Sequence, residues 1–454
     1  MPRIVDQSPD PKSHIKTLMR IGYTFNSAIA DILDNSLTAD ASIVEVLAPP
    51  GLNEPVISIL DDGFGMSLEE LICNMRIGCK DPSEERDKGD LGRFGSGLKT
   101  ASFSQARQLT VVTKKRGLPI VAARWDIDKV EETNTWCLEV FENNEILDIS
   151  GFIEGSLQEC GTQIIWGKLN FIDGGNHARD YDLDLSSKLS ELRYYLALYF
   201  HRFMTGRGKC TFRLNGSTIK PIDPFMSDAT GYQEGPSERL RCKGGYIEIQ
   251  THVLPHFKNM NANELELLGG AAGISQSQGL YIYREKRLIS AGGWMGMARN
   301  SQLSALARVQ VDIPSTLDND WSTDVKKSSL QMPPRVKREL RKFLSDPVKR
   351  SRRIHTYRGK IEAANGFWKV CEDENKGAIS YQIDTTNSLL TSFLETCDAR
   401  QKRLLVEYLT NLAGNLPINN IYEKMAERPS DVNQNIDEMS SLDFLVEKIF
   451  EGKQ

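Results

Sequence analysis

An aspartate and an asparagine four residues apart, Asp31 and Asn35, stand in a stretch where Phe25, Ile29, Ile32, Leu33 and Ser36 recur at helical spacing. Residues at that separation share one face of a helix, and this face lies nearly opposite the apolar stripe. A carboxylate beside a carboxamide, both pointing away from a core, can orient an attacking water and ligate a hard cation such as magnesium. An ordinary solvated helix face would carry the same pair. Asp34 turns toward the flank of that helix, away from Asn35.

Two further clusters follow in order. Val56–Leu60 is a β-rich run that ends in Asp61-Asp62-Gly63-Phe64-Gly65-Met66. A carboxylate at a strand end can accept from an exocyclic amine, while the glycines turn the chain tightly and let a flat ring lie on the backbone. A tight acidic turn with no ligand reads the same way. The third cluster is Gly92-Arg93-Phe94-Gly95-Ser96-Gly97-Leu98-Lys99-Thr100, a glycine loop that runs into a helix start. Backbone N–H groups at such a start form an anion site, to which Lys99 adds charge. The spacing is neither that of a Walker loop nor that of a Rossmann fingerprint. Gly161-Thr162 comes later, after a stretch that reads as strands.

These four segments resemble the boxes of the GHKL ATPases, the superfamily of gyrase B, the ninety-kilodalton chaperone, sensor histidine kinases and MutL. Within it, the run Gly92–Ser102, the run Gly161–Trp166 and the later Gly279–Ile289 look most like the MORC branch. The resemblance implies an α+β fold: an α/β sandwich that binds ATP, then a transducer-like α/β domain. It implies that Asn35 binds Mg2+ and that Asp61 contacts the adenine amine. Gly63, Gly65 and Met66 would shape the adenine floor, with Thr162 supporting that end. Gly92, Arg93, Phe94, Gly95, Ser96, Gly97, Leu98 and Lys99 would hold the phosphates. Asp31 takes the place of the water-orienting base, where hydrolysing relatives carry Glu. The side chain is one methylene shorter, which implies slow turnover. A transducer lysine that reaches the γ-phosphate falls at Lys326 or Lys327. Two activities stay open under this likeness. One is an ATP-hydrolysing clamp that closes a lid over residues 76–94 and pairs two copies of the chain; the other is a nucleotide-gated scaffold or chaperone-like module with little turnover. Stand-alone proteins of this kind resemble components of prokaryotic defence or restriction-type systems, working with a partner nuclease or helicase subunit.

The rest of the sequence must hold these clusters in place. With 454 residues the chain has length for two or three domains. It is expected to divide into an ATP-binding domain over 1–173, a transducer-like domain over 174–335, a basic helical linker over 336–380 and a small helical domain over 381–454. Leu185, Leu189, Leu192, Leu196, Tyr199 and Phe203 predict one long amphipathic helix, and Leu389, Leu390, Phe393 with Leu404, Leu405, Tyr408, Leu409 predict two more. The net charge is −5, yet residues 331–360 hold eleven Lys and Arg against Glu339 and Asp346. Such a run is either a solvated face or a phosphate-backbone track for DNA or RNA, with Arg350, Arg352 and Arg353 at its centre. No apolar stretch approaches the ~20 residues of a membrane span. The N-terminal residues lack the apolar core of a signal peptide. Eight cysteines without a C-x-x-C pair fit reduced thiols in the cytoplasm and give no zinc site.

Overall fold

The computed structural model describes residues 9–49, 54–78, 97–170, 178–242, 244–256, 259–262, 265, 268, 273–274, 276–301, 304–318, 321, 332–356, 367–373 and 378–421. Its first layer is an eight-stranded sheet. The strands are β1 (Ile43–Leu47), β2 (Ile57–Asp61), β3 (Ala106–Lys114), β4 (Val121–Asp126), β5 (Glu139–Glu142), β6 (Gly161–Leu169), β7 (Thr211–Leu214) and β8 (Ser217–Thr218), in the order β5-β4-β3-β6-β2-β1-β7-β8. Every neighbouring pair is antiparallel except β1 with β7. The sheet thus takes in chain well past residue 173.

Alternate residues of a strand face opposite ways, and the two faces here bury different amounts. Ile59, Leu109, Val111, Ile164 and Trp166 point into a large core with helices α2 (Phe25–Thr38), α4 (Gly97–Gln105) and α6 (Ala178–Tyr199). Val112 and Ile165 point the other way, into a small cluster with Ile146, Ile149 and Leu157. The fold is therefore α+β, with its helices on one side of this sheet. Local signals set the helix starts. Helix α1 (Pro11–Met19) has proline in its first turn, and Asp10 accepts from the Ser13 N–H. Thr24 and Ser27 form a reciprocal capping box at the start of α2, as do Ser67 and Glu70 at α3 (Leu68–Met75). These caps fix where the functional side chains of α2 begin to turn.

A second, five-stranded sheet contains β9 (Gln233–Cys242), β10 (Gly245–Val253), β11 (Gly279–Arg284), β12 (Arg287–Ala291) and β13 (Ala307–Ile313), in the order β12-β11-β13-β10-β9. Strands β11 and β13 run parallel, and β11 turns directly into β12. Helices Pro334–Phe343 and Ser345–Thr356 lie against this sheet: Val336, Leu340 and Leu344 bury among Ile247, Ile249, Val309, Val311 and Trp321. The basic run is therefore part of a packed layer, with Arg335, Arg338, Arg341, Lys342 and Lys349 on the exposed side. The end of the expected helical linker (to 380) and the first residues of the expected helical domain (from 381) hold a hairpin instead: Trp368–Asp373 pairs antiparallel with Ala378–Ile383. Each strand is a six-residue run whose partner is the other, and charges at Lys369, Glu372 and Asp373 obscure the alternation. The expected last helices are Ser388–Thr396 and Ala399–Gly414, capped by Asn387 and Asp398. Among the described residues no helix is long and apolar enough to cross a membrane.

Candidate nucleotide site

The end of β2 is fixed before any ligand arrives. Asp61 is buried, and its carboxylate accepts from Ser36 Oγ at 2.7 Å and from the Gly63 N–H at 3.0 Å. Burial raises its pKa from 3.8 to about 6, and the bonds from Ser36 and Gly63 counter part of that shift. Asp61 pairs across the sheet with Thr162 on β6. Thr162 Oγ1 lies 3.0 Å from Thr113 Oγ1, and Thr113 Oγ1 also accepts from the Met66 N–H at 3.0 Å. Asp61, Gly63, Met66 and Thr162 thus form one hydrogen-bonded patch at the ends of β2, β3 and β6.

The glycines of this patch have a packing cause that the sequence does not reveal. Gly65 has φ +64°, and a Cβ there would sit 1.9 Å from the Lys114 carbonyl oxygen. A Cβ on Gly63 would sit 2.7 Å from the Ala39 carbonyl oxygen. Both glycines let the turn after β2 press against neighbouring backbone.

Helix α2 departs from the two-faced helix that the sequence suggests. It is covered nearly all round: Asp31, Asp34 and Ser36 are buried along with Ile29, Ile32 and Leu33, and only Asn35 in that stretch is exposed. Asp31 therefore does not point away from the core. The hydroxyl of Tyr23 donates to its Oδ2 at 2.8 Å, and a Cβ built on Gly97, at the start of α4, would lie 3.6 Å from the same oxygen. Asp34, on the flank of that helix, is buried as well. It pairs with Arg287 of β12, 3.1 Å from Nε to Oδ1. Tyr23 and Thr113 are partners that no motif announces, and Ser36 and Arg287 lie in singled-out runs that gave no sign of these contacts. Only the fold brings them in.

The start of α4 lies beside Asp31. The side chain of Lys99, however, is buried, and its Nζ donates to the Asn74 carbonyl at the end of α3, 2.7 Å away. The Asn74 amide in turn reaches Met66 Sδ at 3.3 Å. The phosphate end is thus tied to the adenine floor through α3. Of the expected phosphate loop, Gly97, Leu98 and Lys99 are described, while Gly92, Arg93, Phe94, Gly95 and Ser96 lie outside the described residues. So do Lys326 and Lys327, and the lid is described only over 76–78. Arg350 is described; its Nη2 meets Asp346 at 2.9 Å and its Nη1 donates to the Glu234 carbonyl at 3.3 Å. Arg352 and Arg353 belong to helix Ser345–Thr356, but their side chains lie outside the described set. For magnesium, the exposed carboxamide of Asn35 fits a nucleotide-borne ion, which takes one or two protein oxygens and completes its shell with phosphate and water. Among the described residues no cluster of three or more His, Cys, Asp or Glu could hold a metal by itself.

A carboxylate at a strand end, a carboxylate–carboxamide helix and a glycine-led helix start thus lie on one side of a mixed sheet, the arrangement expected from the GHKL resemblance. Residues 23–158 match the family model described as histidine kinase-, DNA gyrase B-, and HSP90-like ATPase. Among curated proteins, the chain is similar to the ATPase morc-1 of Caenorhabditis elegans, 36% identical over 92 residues. That match covers 20% of this chain and 10% of the worm protein, so the likeness is MORC-type and confined to one segment.

Proposed function

We propose that the protein binds Mg-ATP between α2, the β2 end and the start of α4, and hydrolyses it slowly. The observation that supports this best is Asp31, held by Tyr23 at 2.8 Å with the first residue of α4 against the same carboxylate oxygen. Asp61 accepts the adenine amine, Asn35 ligates magnesium, and the α4 backbone with Lys99 takes the phosphates. Magnesium supplies charge neutralisation on the phosphates; Asp31 orients the attacking water. Calorimetry with Mg-ATP and single-turnover hydrolysis test the two halves of this reading separately. Absence of heat and of nucleotide protection against thermal unfolding would sink it.

A second reading, a nucleotide-gated scaffold with little turnover, has one specific support. The Asp31 carboxylate is short, and one oxygen already accepts from Tyr23. Single-turnover rates separate the two: a protein that binds Mg-ATP tightly and returns no ADP over hours is the scaffold.

The clamp extends the first reading. ATP closes the segment around 76–94 and pairs two copies of the chain, with Lys326 or Lys327 reaching the γ-phosphate. Light scattering with a non-hydrolysable analogue should show a doubled mass. The exposed basic side of the helices over 334–356 then lies along a nucleic-acid backbone, by counterion release and without base readout. Binding of duplex DNA should weaken steeply with salt, and reversing Arg338, Arg341 and Lys349 to Glu should flatten that slope while sparing ATP binding. A place in a defence system beside a nuclease or helicase rests on the family likeness, and loss of phage protection in a host carrying Asp31→Ala would support it.

A further inference from the structure

Asp34 and Arg287 stand 253 positions apart in the chain. They form the most buried ion pair among the described residues, with side-chain exposures of 1% and 6%. Asp34 sits on α2, one residue before Asn35 and three after Asp31. Arg287 opens β12 in the second sheet. Its guanidinium is held from several sides: Nη1 donates to the carbonyl of Tyr199, the last residue of α6, at 3.2 Å and to that of Leu288 at 2.9 Å. The same group lies 3.8 Å from the centre of the Phe200 ring. A cation at a helix C-terminus, stacked on an aromatic face, is fixed by dipole and quadrupole together.

Such a pair is a poor way to gain stability. Desolvating two charges costs several kcal/mol, and apolar replacements of similar volume are often neutral or better. What it does provide is geometry, because a planar guanidinium admits few orientations. We propose that Arg287 is a positioning residue of the nucleotide site, fixing the rotation and height of α2 and with them Asp31 and Asn35. Through it the second sheet registers what α2 does. This deepens the nucleotide reading above and rests on it.

The other end of the β11–β12 turn carries the same kind of contact. Arg284, the last residue of β11, grips Asp318 with two bonds, Nε to Oδ1 and Nη2 to Oδ2, both 2.7 Å. One two-residue turn therefore links the helix of Asp31 and Asn35 to the chain that leads toward Lys326 and Lys327. A shift of α2 on nucleotide binding would pass through this hairpin.

The test must separate position from folding, since Arg287→Met alone strands a buried carboxylate. The double variant Asp34→Ala with Arg287→Met removes both charges together. Four measurements are made on parent and double variant: melting temperature, Mg-ATP affinity by calorimetry, single-turnover hydrolysis, and hydrogen exchange of Phe25–Thr38 and Gly279–Ala291 with and without a non-hydrolysable ATP analogue. The expected result has four parts. The double variant melts cooperatively and binds ATP within about threefold of the parent. Its single-turnover hydrolysis falls by about tenfold or more, as a small misplacement of a catalytic group would cause. Nucleotide protects the hairpin in the parent and no longer does so in the double variant. Arg287→Lys, which keeps the charge, restores part of the rate. The proposal is overturned if the double variant keeps the parent's rate and hairpin protection, or if the parent binds ATP with no change in the hairpin. It is equally overturned if affinity, rate and melting temperature all fall together, since that marks a structural pair. If the parent itself binds no ATP, calorimetry shows it directly, and the nucleotide reading fails first and takes this one with it.

Discussion

The two ends of the candidate site are built differently. The adenine end is made of strand termini whose polar groups are already satisfied: Asp61 by Ser36 and Gly63, Thr162 and Met66 through Thr113. Little has to move for a flat ring to dock there. The phosphate end is made of helix termini, with Asn35 exposed and with Lys99 bound to the Asn74 carbonyl. Lys99 Nζ carries three donors, so bonding a phosphate does not require it to leave that carbonyl. Preorganised polar groups cost less on binding than groups that reorganise, which under the proposed reading favours specificity at the adenine end and leaves hydrolysis to the phosphate end.

The largest effect belongs to the phosphate end. Asp31→Ala should leave ATP affinity within a few-fold and cut single-turnover hydrolysis by ~10²–10⁴, the usual contribution of a positioned base. Tyr23→Phe is the finer probe. It removes the bond to Asp31 Oδ2 and should alter the rate without altering affinity. An Asp31→Ala protein that turns over at the parent rate would assign the water to another group.

At the adenine end the loss falls on binding. Asp61→Ala removes a buried acceptor, and a charge-assisted bond in a dry site contributes about 1.5–3 kcal/mol, so affinity should drop by about 10- to 100-fold. Adenosine and ATP should weaken alike. If only ATP weakens, Asp61 does not face the base.

Lys99→Met turns that comparison around. It should weaken ATP by about tenfold and leave adenosine unchanged, because in the proposed reading the lysine touches no part of the ligand but its phosphates. Loss of adenosine binding as well would mean that Lys99 serves the floor through Asn74 and Met66, and that the two ends are one rigid unit. Side-by-side titrations of the two ligands decide it.

How far the sequence could show this site follows from what each residue depends on. The strand-end positions of Asp61 and Thr162 were readable because strand runs and turn glycines are local, and α2 was readable from its apolar period. The burial of Asp31 and Asp34 was not. An amphipathic pattern assigns one face to solvent, whereas here Tyr23, the start of α4 and Arg287 cover that face from distant positions. The eight-stranded sheet was equally hidden past residue 173, since β7 adds in parallel beside β1 from a four-residue run with no turn signal tying it there. The basic helices misled in another way. Their charges stand out, while Val336, Leu340 and Leu344, which fasten them to the second sheet, are three residues in a polar stretch.

The smallest effect, and the most diagnostic of the adenine end, is its dependence on pH. The carboxyl of Asp61 titrates near 6 in the folded protein because burial raises it, against 3.8 when unfolded. A raised acid stabilises the fold fully below the unfolded value, and that contribution is lost as pH climbs through about 6. Asp61→Asn, which has no charge to bury, should therefore gain stability relative to the parent between pH 4 and pH 7 and hold that gain above. Ligand binding runs the opposite way, because the ionised form is the better acceptor for an amine. Adenine-nucleotide affinity should fall by about tenfold from pH 7 to pH 5, as the ionised fraction shrinks below the pKa. The same titration on Asp61→Asn subtracts the protonation of the phosphates themselves. A parent and variant whose affinities fall in parallel would show that the pH response lies wholly at the phosphate end, and that Asp61 holds the turn of Gly63 rather than the base.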